Sequence, residues 1–396
     1  MKLLKVALWA EALVGPPTGT RIFLENLIRT LVTDYSDRVA FTLACPSWSS
    51  VRVLNDCFSG VACQMDPTRG RRWPNRIAWL AGAASITRDI GRHDLYLSGW
   101  QWPLGRQDEP FVGIVHDLRM LNPEWRDDTV SWMRRAAWRA VWDLSVRSCV
   151  ARAAAIVTPS QFTLDQLSEL GYVPEQPTFV IPHGVDQDLW RVDTDNSKLA
   201  VILDRIGASS NRDYILSVGQ HTPHKNLLRL VDGFANYLAH EDPAAQLVLV
   251  GGENAETHKI RARVLEKGLT GRVILAGVVG FDDLRILMKR ARVFAFPSLF
   301  EGFGLPVLEA FAAGTPVITS KTTSLGEIAG DAAVLVDPED VCEIGRMIAR
   351  VWHDKEERSR LTVAGCARAR QFRWKDAAKR YLEVFEIAAG SSKGKV

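Results

Sequence analysis

The chain has 396 residues, enough for two domains of ordinary size, and its 47% hydrophobic and 24% charged residues are typical of a globular protein. The net charge is only +3, so bulk charge does not favour nucleic acid as a partner. No run approaches the roughly 20 apolar residues that are needed to span a membrane.

The cysteines are scattered along the chain and are never spaced as C-x2-C. They are Cys45, Cys57, Cys63, Cys149, Cys342 and Cys366. This pattern predicts reduced thiols in a cytoplasmic protein, with neither a metal site nor a disulfide framework. The N-terminal run MKLLKVALWAEAL is interrupted by Glu11, so we interpret it as a first strand and not as a secretory signal.

In the first half of the chain, short apolar runs alternate with helical segments, as in a parallel α/β sheet. The predicted strands are 3–9, 39–44, 95–98, 112–115, 155–159 and 179–182. Between the first strand and a helix at 21–31, Gly15 and Gly19 form a strand-to-helix turn. Such a turn lets the backbone approach a phosphate or a sugar, although it is also common in α/β folds without that role.

His116 and Asp117 follow directly after the strand at 112–115. A histidine at the carboxyl end of a strand is well placed for chemistry, because ligands of open α/β sheets bind there. A core or loop-bracing role is the alternative for this histidine. Asp117 is placed to orient the imidazole or to face an acceptor.

A helix is predicted over 127–150, and its two faces differ in composition. The face that we expect to turn toward the core carries Val130, Met133, Ala137, Ala140, Val141 and Leu144. The opposite face carries Trp132, Arg135, Trp138, Arg139 and Trp142. Tryptophans interleaved with arginines suit the interface of an anionic membrane. Packing on the segment RGRRWPNRIAWL at 69–80, or on a second subunit, is the alternative.

The second half of the chain begins after a polar region at 186–213 that lacks strong periodicity. Strands are then predicted at 214–218, 247–250, 273–276, 293–297 and 315–320, with helices at 227–238, 282–290, 305–313 and 374–388. Lys225 precedes the first of these helices and can reach a phosphate held over the helix N-terminus. A solvated loop lysine is the alternative.

The stretch VFAFPSLFEGFGLPVLEAFAAGTPVITS at 293–320 is the most informative part of the sequence. Glu301 lies in a loop at the carboxyl end of a strand, and Glu309 lies on the following helix. Gly302 and Gly304 bracket the helix N-terminus, where free N–H groups and the helix dipole favour an anion such as a diphosphate. A solvated loop glutamate and a surface helix glutamate are the alternative.

The string FPSLFEGFGLPVLEAFAAGTPVI resembles the E-x7-E signature of the retaining family 4 glycosyltransferases, which have the two-domain GT-B architecture. The resemblance implies that Glu301 lies by the donor sugar and that Glu309 binds the nucleotide ribose. The segments IVHDL, VTPSQFT and VIPHGVD are similar to further segments of that family. His183 stands where asparagine is commoner in the family.

The resemblance also assigns the remaining site residues. His116 and Lys225 join Glu301 as catalytic residues, with Lys225 on the donor diphosphate. The substrate-binding set is Gly19, Asp117, Gly219, Gln220, His224, Val279, Gly302, Phe303, Gly304, Leu305 and Glu309. The arginine that usually accompanies the lysine in this loop is absent, unless a histidine of the loop or an arginine of the first domain replaces it.

The GT-B resemblance implies an α/β fold of two Rossmann-like domains that face each other across a cleft. We expect an acceptor-binding domain at 1–190, a linker at 191–212 and a nucleotide-sugar-binding domain at 213–373. A helix that crosses back to the first domain, with the tail, is expected at 374–396.

The function that these expectations favour is retaining transfer of a hexose, first of all mannose from GDP-mannose, to a hydroxyl of a lipid-linked or surface-polysaccharide glycan. We expect front-face attack by the acceptor hydroxyl and no metal or other cofactor. The expected location is the cytoplasm, at the inner face of the plasma membrane. The alternatives are a nucleotide-sugar epimerase on the same fold and a non-catalytic nucleotide-sugar-binding or assembly protein.

Overall fold

The computed structural model describes residues 3–14, 18–45, 47–65, 91–101, 109–122, 131–192, 196–240 and 244–391. The chain divides into two compact units. Unit 1 takes the chain as far as Gly184 together with the segment from Trp374 onward, and unit 2 takes Val185–Arg373.

The described strands are β1 (Leu4–Trp9), β2 (Val39–Cys45), β3 (Ala62–Met65), β4 (Leu95–Ser98), β5 (Phe111–Ile114), β6 (Ala155–Thr158), β7 (Thr178–Val180), β8 (Tyr214–Val218), β9 (Gln246–Val250), β10 (Val273–Gly277), β11 (Val293–Phe296), β12 (Val317–Ser320) and β13 (Val334–Val336). The described α-helices are α1 (Glu11–Val14), α2 (Gly19–Asp34), α3 (Trp48–Cys57), α4 (Trp132–Arg152), α5 (Gln161–Glu169), α6 (Gln187–Trp190), α7 (Asn196–Arg205), α8 (Leu227–His240), α9 (Ala255–Glu266), α10 (Phe281–Arg290), α11 (Leu305–Ala313), α12 (Thr323–Ala329), α13 (Val341–His353), α14 (Lys355–Ala369) and α15 (Trp374–Ser391).

Unit 1 is built on a parallel sheet whose strands have the order β3-β2-β1-β4-β5-β6-β7. Strands β4, β5 and β6 are buried along their whole length. In the sequence each is therefore a mostly apolar run, without the alternation of apolar and polar residues that marks a strand with one exposed face. The core on one side of this sheet joins Tyr96, Phe111 and Ile156 to Val146 and Cys149 of α4. Helix α15 packs against α2 within the same unit.

Unit 2 is built on a second parallel sheet, with the order β10-β9-β8-β11-β12-β13. Its main core is formed by strand residues such as Ile215, Leu247 and Val293, which pack against Leu230 of α8 and Ile344 of α13. Helices α8 and α13 are in extensive contact. Two separate cores, each closed by its own helices, make two α/β units.

Each sheet has a point at which the strand order reverses. In unit 1 the chain turns from β1 outward through β2 and β3, and then returns to the other side of β1 with β4. In unit 2 the same reversal lies between β8 and β11. The carboxyl ends of the strands at such a reversal are where open α/β sheets bind ligands, so the loops after β8 and β11 and after β1 and β4 are the candidate sites.

The region predicted as a linker, 191–212, instead contains helix α7. Ile202 and Leu203 of α7 are buried in unit 2, and Arg205 pairs with Asp283 of α10. Because only two of its ten residues are buried, this helix has too little hydrophobic periodicity to be recognised within a polar stretch of sequence. The boundary between the units falls between Gly184 and Val185.

The face of helix α4 that packs against the core differs from the face that was predicted from the sequence. Val146 and Cys149 are fully buried, and Trp142 packs against the same core. Met133 and Leu144, which were assigned to the core face, are 63% and 50% exposed. Ala137 and Ala140 are exposed as well. The predicted core face is therefore wrong, because only the C-terminal half of α4 lies on the sheet.

The contact between α4 and the sheet depends on the absence of a side chain at Gly113. A Cβ at Gly113 would lie 2.4 Å from the Cys149 sulfur. Cys149 therefore fills the space that a glycine of β5 leaves open, and this close approach sets the rotation of the helix. The first turn predicted for this helix, 127–130, and the segment 69–80 lie outside the described residues.

The surface of α4 keeps part of the predicted tryptophan and arginine face. Trp132 and Trp138 are 70% and 56% exposed, and Arg139 is exposed beside them. Trp142 does not belong to this surface, because its ring contacts the ring of Trp100, with centroids 6.1 Å apart. Within the part of the chain that the structure describes, no helix has both the length and the apolar character to cross a bilayer.

Candidate active site

Two loops meet at the strand reversal of unit 2, and an ion pair joins them. Lys225 follows β8 and Glu301 follows β11, and the Nζ–Oε1 distance is 2.6 Å. Both side chains are largely buried, at 15% and 14% exposed, so salt screens this pair less than a surface pair. The ammonium also lies 4.9 Å from the centroid of the Phe296 ring. The site therefore holds one cation and one carboxylate close together at the edge where ligands bind.

Asn226 fixes the loop that carries Lys225. Its backbone is left-handed, with φ of 60°, a conformation that asparagine tolerates better than most residues. Its side-chain Nδ2 donates to the carbonyls of Pro297 and Pro338, at 2.9 and 2.6 Å. One buried amide thus ties the end of β8 to the loop after β11, which explains why Lys225 and Glu301 face each other.

Ser298 fixes the opposite loop. Its hydroxyl lies 2.7 Å from the carbonyl of His224 and 2.7 Å from Oε1 of Glu301. The backbone N–H of Leu299 donates to the same His224 carbonyl at 2.7 Å. The carboxylate of Glu301 is therefore positioned by both Lys225 and Ser298.

Helix α11 begins immediately after this loop. Gly304 precedes it with φ of 114°, and a Cβ at this position would lie 2.7 Å from Cδ2 of Leu325. The Ser324 hydroxyl supports the loop, because it lies within hydrogen-bond distance of the carbonyls of Glu301 and Phe303. No described side chain caps the N-terminus of α11, but the second residue of the helix is a proline without an N–H, and the N–H of the third donates to the Gly304 carbonyl at 3.0 Å. The helix dipole and the first N–H are therefore what α11 offers to an anion.

Glu309 lies in the second turn of α11 and is 9% exposed. Burial raises the pKa of its carboxyl group to about 7, because desolvation penalises the charged form. Glu301 has a cation beside it, whereas no described lysine or arginine pairs with Glu309. A carboxylate of this kind is suited to accept hydrogen bonds from hydroxyl groups of a ligand.

The loop after β8 also touches the loop after β9. A Cβ at Gly251 would lie 1.8 Å from the carbonyl oxygen of Gly219, so the two backbones approach as closely as glycines allow. Gly219 in turn lies against the side chain of Lys225. Val279, a member of the predicted substrate-binding set, is partly exposed just beyond β10, whose Gly277 carbonyl accepts from the N–H of Gly251.

The histidines of the Lys225 loop are buried in the structure. His221 is fully buried with Nδ1 3.0 Å from the Thr257 hydroxyl, and burial lowers its pKa. His224 is 6% exposed and contacts the hydroxyl of Thr222. Because its lowered pKa keeps His221 neutral near pH 7, His221 does not replace the charge of the absent arginine. Gln220, by contrast, is exposed.

His116 lies in unit 1, past the end of β5, and its Nε2 is 3.0 Å from the carbonyl of Gly99. Burial lowers the pKa of its imidazole to about 4, so the ring is neutral near pH 7. Because a carbonyl only accepts hydrogen bonds, Nε2 carries the proton and Nδ1 is left as an acceptor. Phe23 packs edge-on against the ring, with centroids 5.1 Å apart.

The other candidates of unit 1 have local roles in the structure. Asp117 accepts a hydrogen bond from the backbone N–H of Arg119 at 3.1 Å, at the start of a short 3-10 turn. Gly19 is the exposed first residue of α2, whose N-cap is Thr18. Gly19 therefore lies inside the helix start and not in the turn before it, and Gly15 lies outside the described residues.

His183 is a buried residue whose contacts the sequence did not reveal. Its ring stacks on Trp374, with an interplanar angle of 18°, and its centroid is 5.8 Å from that of His116. Burial lowers the pKa of His183 well below its usual value. The neutral imidazoles of His116 and His183 therefore lie next to each other, near the carboxyl end of the unit 1 sheet.

Family models match both halves of the chain. The model of Glycosyltransferase Family 4 matches residues 19–189, and the model of glycosyl transferases group 1 matches residues 202–367. The chain belongs to the family 4 glycosyltransferases. It is therefore a glycosyltransferase, as the E-x7-E segment predicted.

Two relatives carry names that describe mannosyl transfer. The O-antigen chain mannosyltransferase B of Escherichia coli is 27% identical over 317 residues, which cover 79% of this chain and 78% of the relative. The MMP alpha-(1->4)-mannosyltransferase of Mycolicibacterium hassiacum is 29% identical over 70% of this chain and 66% of the relative. This glycosyltransferase is thus similar to mannosyltransferases.

A solved structure shares the whole fold. The Anabaena protein Alr3699/HepE, crystallised with UDP and glucose, matches with a TM-score of 0.73 at 19% identity, over 97% of this chain and 99% of that one. At this identity the likeness shows the fold alone. The α/β GT-B fold predicted from the sequence is confirmed.

The glycosyltransferase signature identified Lys225, Glu301 and Glu309, and the structure brings the first two together. It did not identify Asn226 or Ser298, which hold those two loops in contact. The VGxxxxxKN run placed an asparagine after the lysine, and that residue type before a helix is a signal for a left-handed turn. Among the described residues, no cluster of histidine, cysteine and carboxylate side chains is arranged to hold a metal ion.

Proposed function

We propose that this glycosyltransferase moves mannose from GDP-mannose to a hydroxyl of a lipid-linked or surface-polysaccharide glycan. The observation that carries the proposal is the ion pair between Lys225 and Glu301 at the strand reversal of unit 2. The names of the two mannosyltransferase relatives favour mannose as the sugar and bacterial glycans as the acceptors.

In this proposal, binding of the donor breaks the ion pair between Lys225 and Glu301, and each of the two residues then contacts the donor. The diphosphate of the donor takes the Lys225 ammonium and lies against the uncapped N-terminus of α11. Glu301 is then free to accept hydrogen bonds from sugar hydroxyls, while Ser298 keeps its carboxylate in place. Glu309 accepts hydrogen bonds from the ribose.

Departure of the sugar leaves negative charge on the diphosphate. Lys225 and the dipole of α11 would stabilise that charge as it develops, which is the role that a metal ion has in other transferases. We therefore expect no metal requirement, and turnover in excess EDTA should equal turnover with added Mg²⁺. Loss of activity in EDTA that Mg²⁺ restores would refute this part.

We infer that transfer retains the anomeric configuration, through front-face attack by the acceptor hydroxyl on the carbon that the diphosphate leaves. His116 contributes a neutral imidazole whose Nδ1 can accept a hydrogen bond from a sugar hydroxyl. A neutral ring with this tautomer does not donate to a phosphate, so the structure favours the sugar as the partner of His116.

The proposal also places the protein at the inner face of the plasma membrane. Trp132, Trp138 and Arg139 form an exposed aromatic and basic surface on α4, which suits an anionic interface. Flotation with vesicles that contain phosphatidylglycerol should carry the protein, and a Trp132→Ala, Trp138→Ala variant should float less. Equal flotation of both proteins would refute this surface.

A thermal-shift screen against GDP, UDP and dTDP tests the donor. A ligand that binds only the native state raises stability, by about 2.7 kcal/mol at a hundredfold excess over its Kd. We expect GDP to raise the Tm more than the other two nucleotides, and Lys225→Ala to remove most of the increase. No increase with any nucleoside diphosphate would refute the site, and a selective increase with UDP or dTDP would refute GDP-mannose.

A further inference from the structure

The unit 2 sheet ends at β13, and a recess lies beside this edge strand. In the sheet order, β12 separates β13 from β11, so the recess is away from the strand reversal between β8 and β11. Its volume is about 470 Å³, in the range of pockets that hold small molecules. Residues of β13, α13 and α14 line it, among them Val334, Leu335, Met347, Arg350, Glu357 and Arg360. None of these residues belongs to the candidate active site.

Glu357 is the buried charged group of this recess. Its side chain is 8% exposed, and its Oε1 accepts a hydrogen bond from Nη2 of Arg350 at 2.8 Å. Arg360 donates to the same carboxylate from Nε at 2.8 Å and from Nη2 at 3.2 Å. The hydrogen bond from Arg360 is the main cause of the lowered pKa of Glu357, so this carboxylate is charged near pH 7. One buried carboxylate thus holds two guanidinium groups next to each other.

Both guanidinium groups keep most of their hydrogen-bond donors. A guanidinium has five N–H groups, of which Arg350 gives one and Arg360 gives two to Glu357. The other N–H groups have no hydrogen-bond partner among the described residues. The two arginine side chains are 54% and 53% exposed and both line the recess, so a ligand can reach them. Their planar forks match the oxygens of a carboxylate or a phosphate.

The charge of the recess favours an anion with a single charge. Arg350 and Arg360 contribute two positive charges and Glu357 one negative charge, so a monoanion neutralises the cluster. Asp331 also lines the recess and is exposed. Glu357 and, to a smaller extent, Asp331 raise the pKa of Arg360, so Asp331 lies near this guanidinium. Because Asp331 would repel a second negative charge, a carboxylate fits better than a phosphate dianion.

The rest of the lining is mostly apolar. Val334 of β13 is 7% exposed, and Leu335 and Met347 are partly buried beside it. A ring or a short hydrocarbon chain would remove these apolar surfaces from water. The flexible methionine side chain adapts to groups of different shape. A ligand with an anionic group at one end and an apolar body therefore matches both parts of the recess.

We propose that this recess binds a small carboxylate with an apolar body, held by the guanidinium groups of Arg350 and Arg360. The site is additional to the donor site and does not rest on the proposed function. Nothing in the sequence distinguished these residues. Glu357 and Arg360 have the spacing of an ordinary ion pair along a helix, and Arg350 joins them from the preceding helix α13.

The test follows Met347, because this residue lines the recess and is one of only six methionines in the chain. The whole protein, labelled with ¹³C at the methionine methyl groups, is titrated with benzoate, and Met347→Leu assigns the signal. For a ligand of this size a Kd of about 10 mM is expected, so the titration extends to about 50 mM. We expect a saturable shift of the Met347 signal, whereas the signal of the buried Met288 should stay in place.

Arginine variants test the residues. Arg350→Gln should raise the Kd for benzoate about fivefold or more, because it removes one guanidinium of the pair. Arg360→Gln should have the same effect, and it decides the question if Arg350→Gln disturbs the Met288 signal. Arg346→Gln is the matched control, since Arg346 is 63% exposed on the same helix, lies 4.0 Å from Asp340 and does not line the recess. The control should leave the Kd unchanged.

Two further ligands test the chemistry. Benzamide keeps the ring without the charge, so it should bind at least about fivefold more weakly than benzoate. Inorganic phosphate lacks the apolar body and should leave the Met347 signal in place. The proposal would be overturned by the absence of a saturable benzoate shift, by equal binding of benzamide, by a comparable shift with phosphate, or by an unchanged Kd in both arginine variants. No nucleotide takes part, so this site and the donor assignment can fail independently.

Discussion

The two glutamates of the signature have different electrostatic surroundings. Glu301 has Lys225 at 2.6 Å and the Ser298 hydroxyl at 2.7 Å, so its charge is compensated within the protein. Glu309 is buried, and desolvation dominates its titration. In the proposed function, Glu301 exchanges Lys225 for the donor sugar, whereas Glu309 gains a partner from the ribose.

The raised pKa of Glu309 predicts a dependence of stability on pH. Its folded-state pKa of about 7 lies above the reference value of 4.5, so the folded state binds this proton more tightly than the unfolded state. The contribution is fully present below pH 4.5 and is lost as pH rises through about 7. Relative to Glu309→Gln, the unchanged protein should lose about 2–4 kcal/mol across this window. Unfolding midpoints of both proteins at a series of pH values measure the difference, and a difference that does not vary with pH would contradict the prediction.

Lys225 is expected to act on turnover more than on folding. Lys225→Ala removes the cation that would neutralise the leaving diphosphate, so kcat should fall by about 100- to 1,000-fold. Glu309→Ala should instead raise the KM for the donor, because it removes a contact to the ribose. Steady-state kinetics of both variants measure the split. Kinetics like those of the unchanged protein in both variants would refute the site.

At the scale of elements, the proposed donor site depends on the contact between the loops after β8 and β9. Gly251→Ala would place a methyl 1.8 Å from the Gly219 carbonyl and would push the Lys225 loop away. We expect a Tm loss of about 4 °C or more and loss of the GDP-induced stabilisation. Gly252→Ala is the matched control, because its nearest contact would be Val278 at 3.9 Å, and its Tm should be unchanged. Equal effects of the two substitutions would contradict this reading of the loop.

Eleven of the thirteen described strands were predicted from the sequence to within a residue or two, whereas the short strands β3 and β13 were not predicted. Strands such as β5 and β11 are buried on both faces, so they read as unbroken apolar runs that end at glycine, proline or polar residues. Helix α4 shows where this reasoning fails. Its exposed half carries more apolar residues than its buried half, and the rotation follows from long-range contacts such as that of Cys149 with Gly113.

The candidate site of unit 2 could also be predicted only in part, because some of its residues act through long-range contacts. Lys225, Glu301 and Glu309 stand in segments whose local spacing resembles a family signature. Asn226 acts through carbonyls 71 and 112 residues away, and Ser298 acts through a carbonyl 74 residues away. Neither property has a local sequence signal, so each needed the structure.

At the scale of the whole molecule, the two units repeat one plan with different residues at the strand reversal. Unit 2 places a cation, a carboxylate and an uncapped helix N-terminus there, which suits an anionic nucleotide sugar. Unit 1 places two buried histidines with lowered pKa values there, so its strand reversal carries no comparable charge.

The central claim is transfer of mannose from GDP-mannose with retention, and the anomeric signal of the first-formed product tests it most directly. GDP-mannose and a mannoside acceptor should be incubated with the protein and followed by ¹H NMR from the earliest time points, before any product can isomerise. The expected product carries the anomeric configuration of the donor, and it should form at least about 100-fold more slowly with Lys225→Ala. A product of inverted configuration, or release of free mannose and GDP without any glycoside, would contradict the claim.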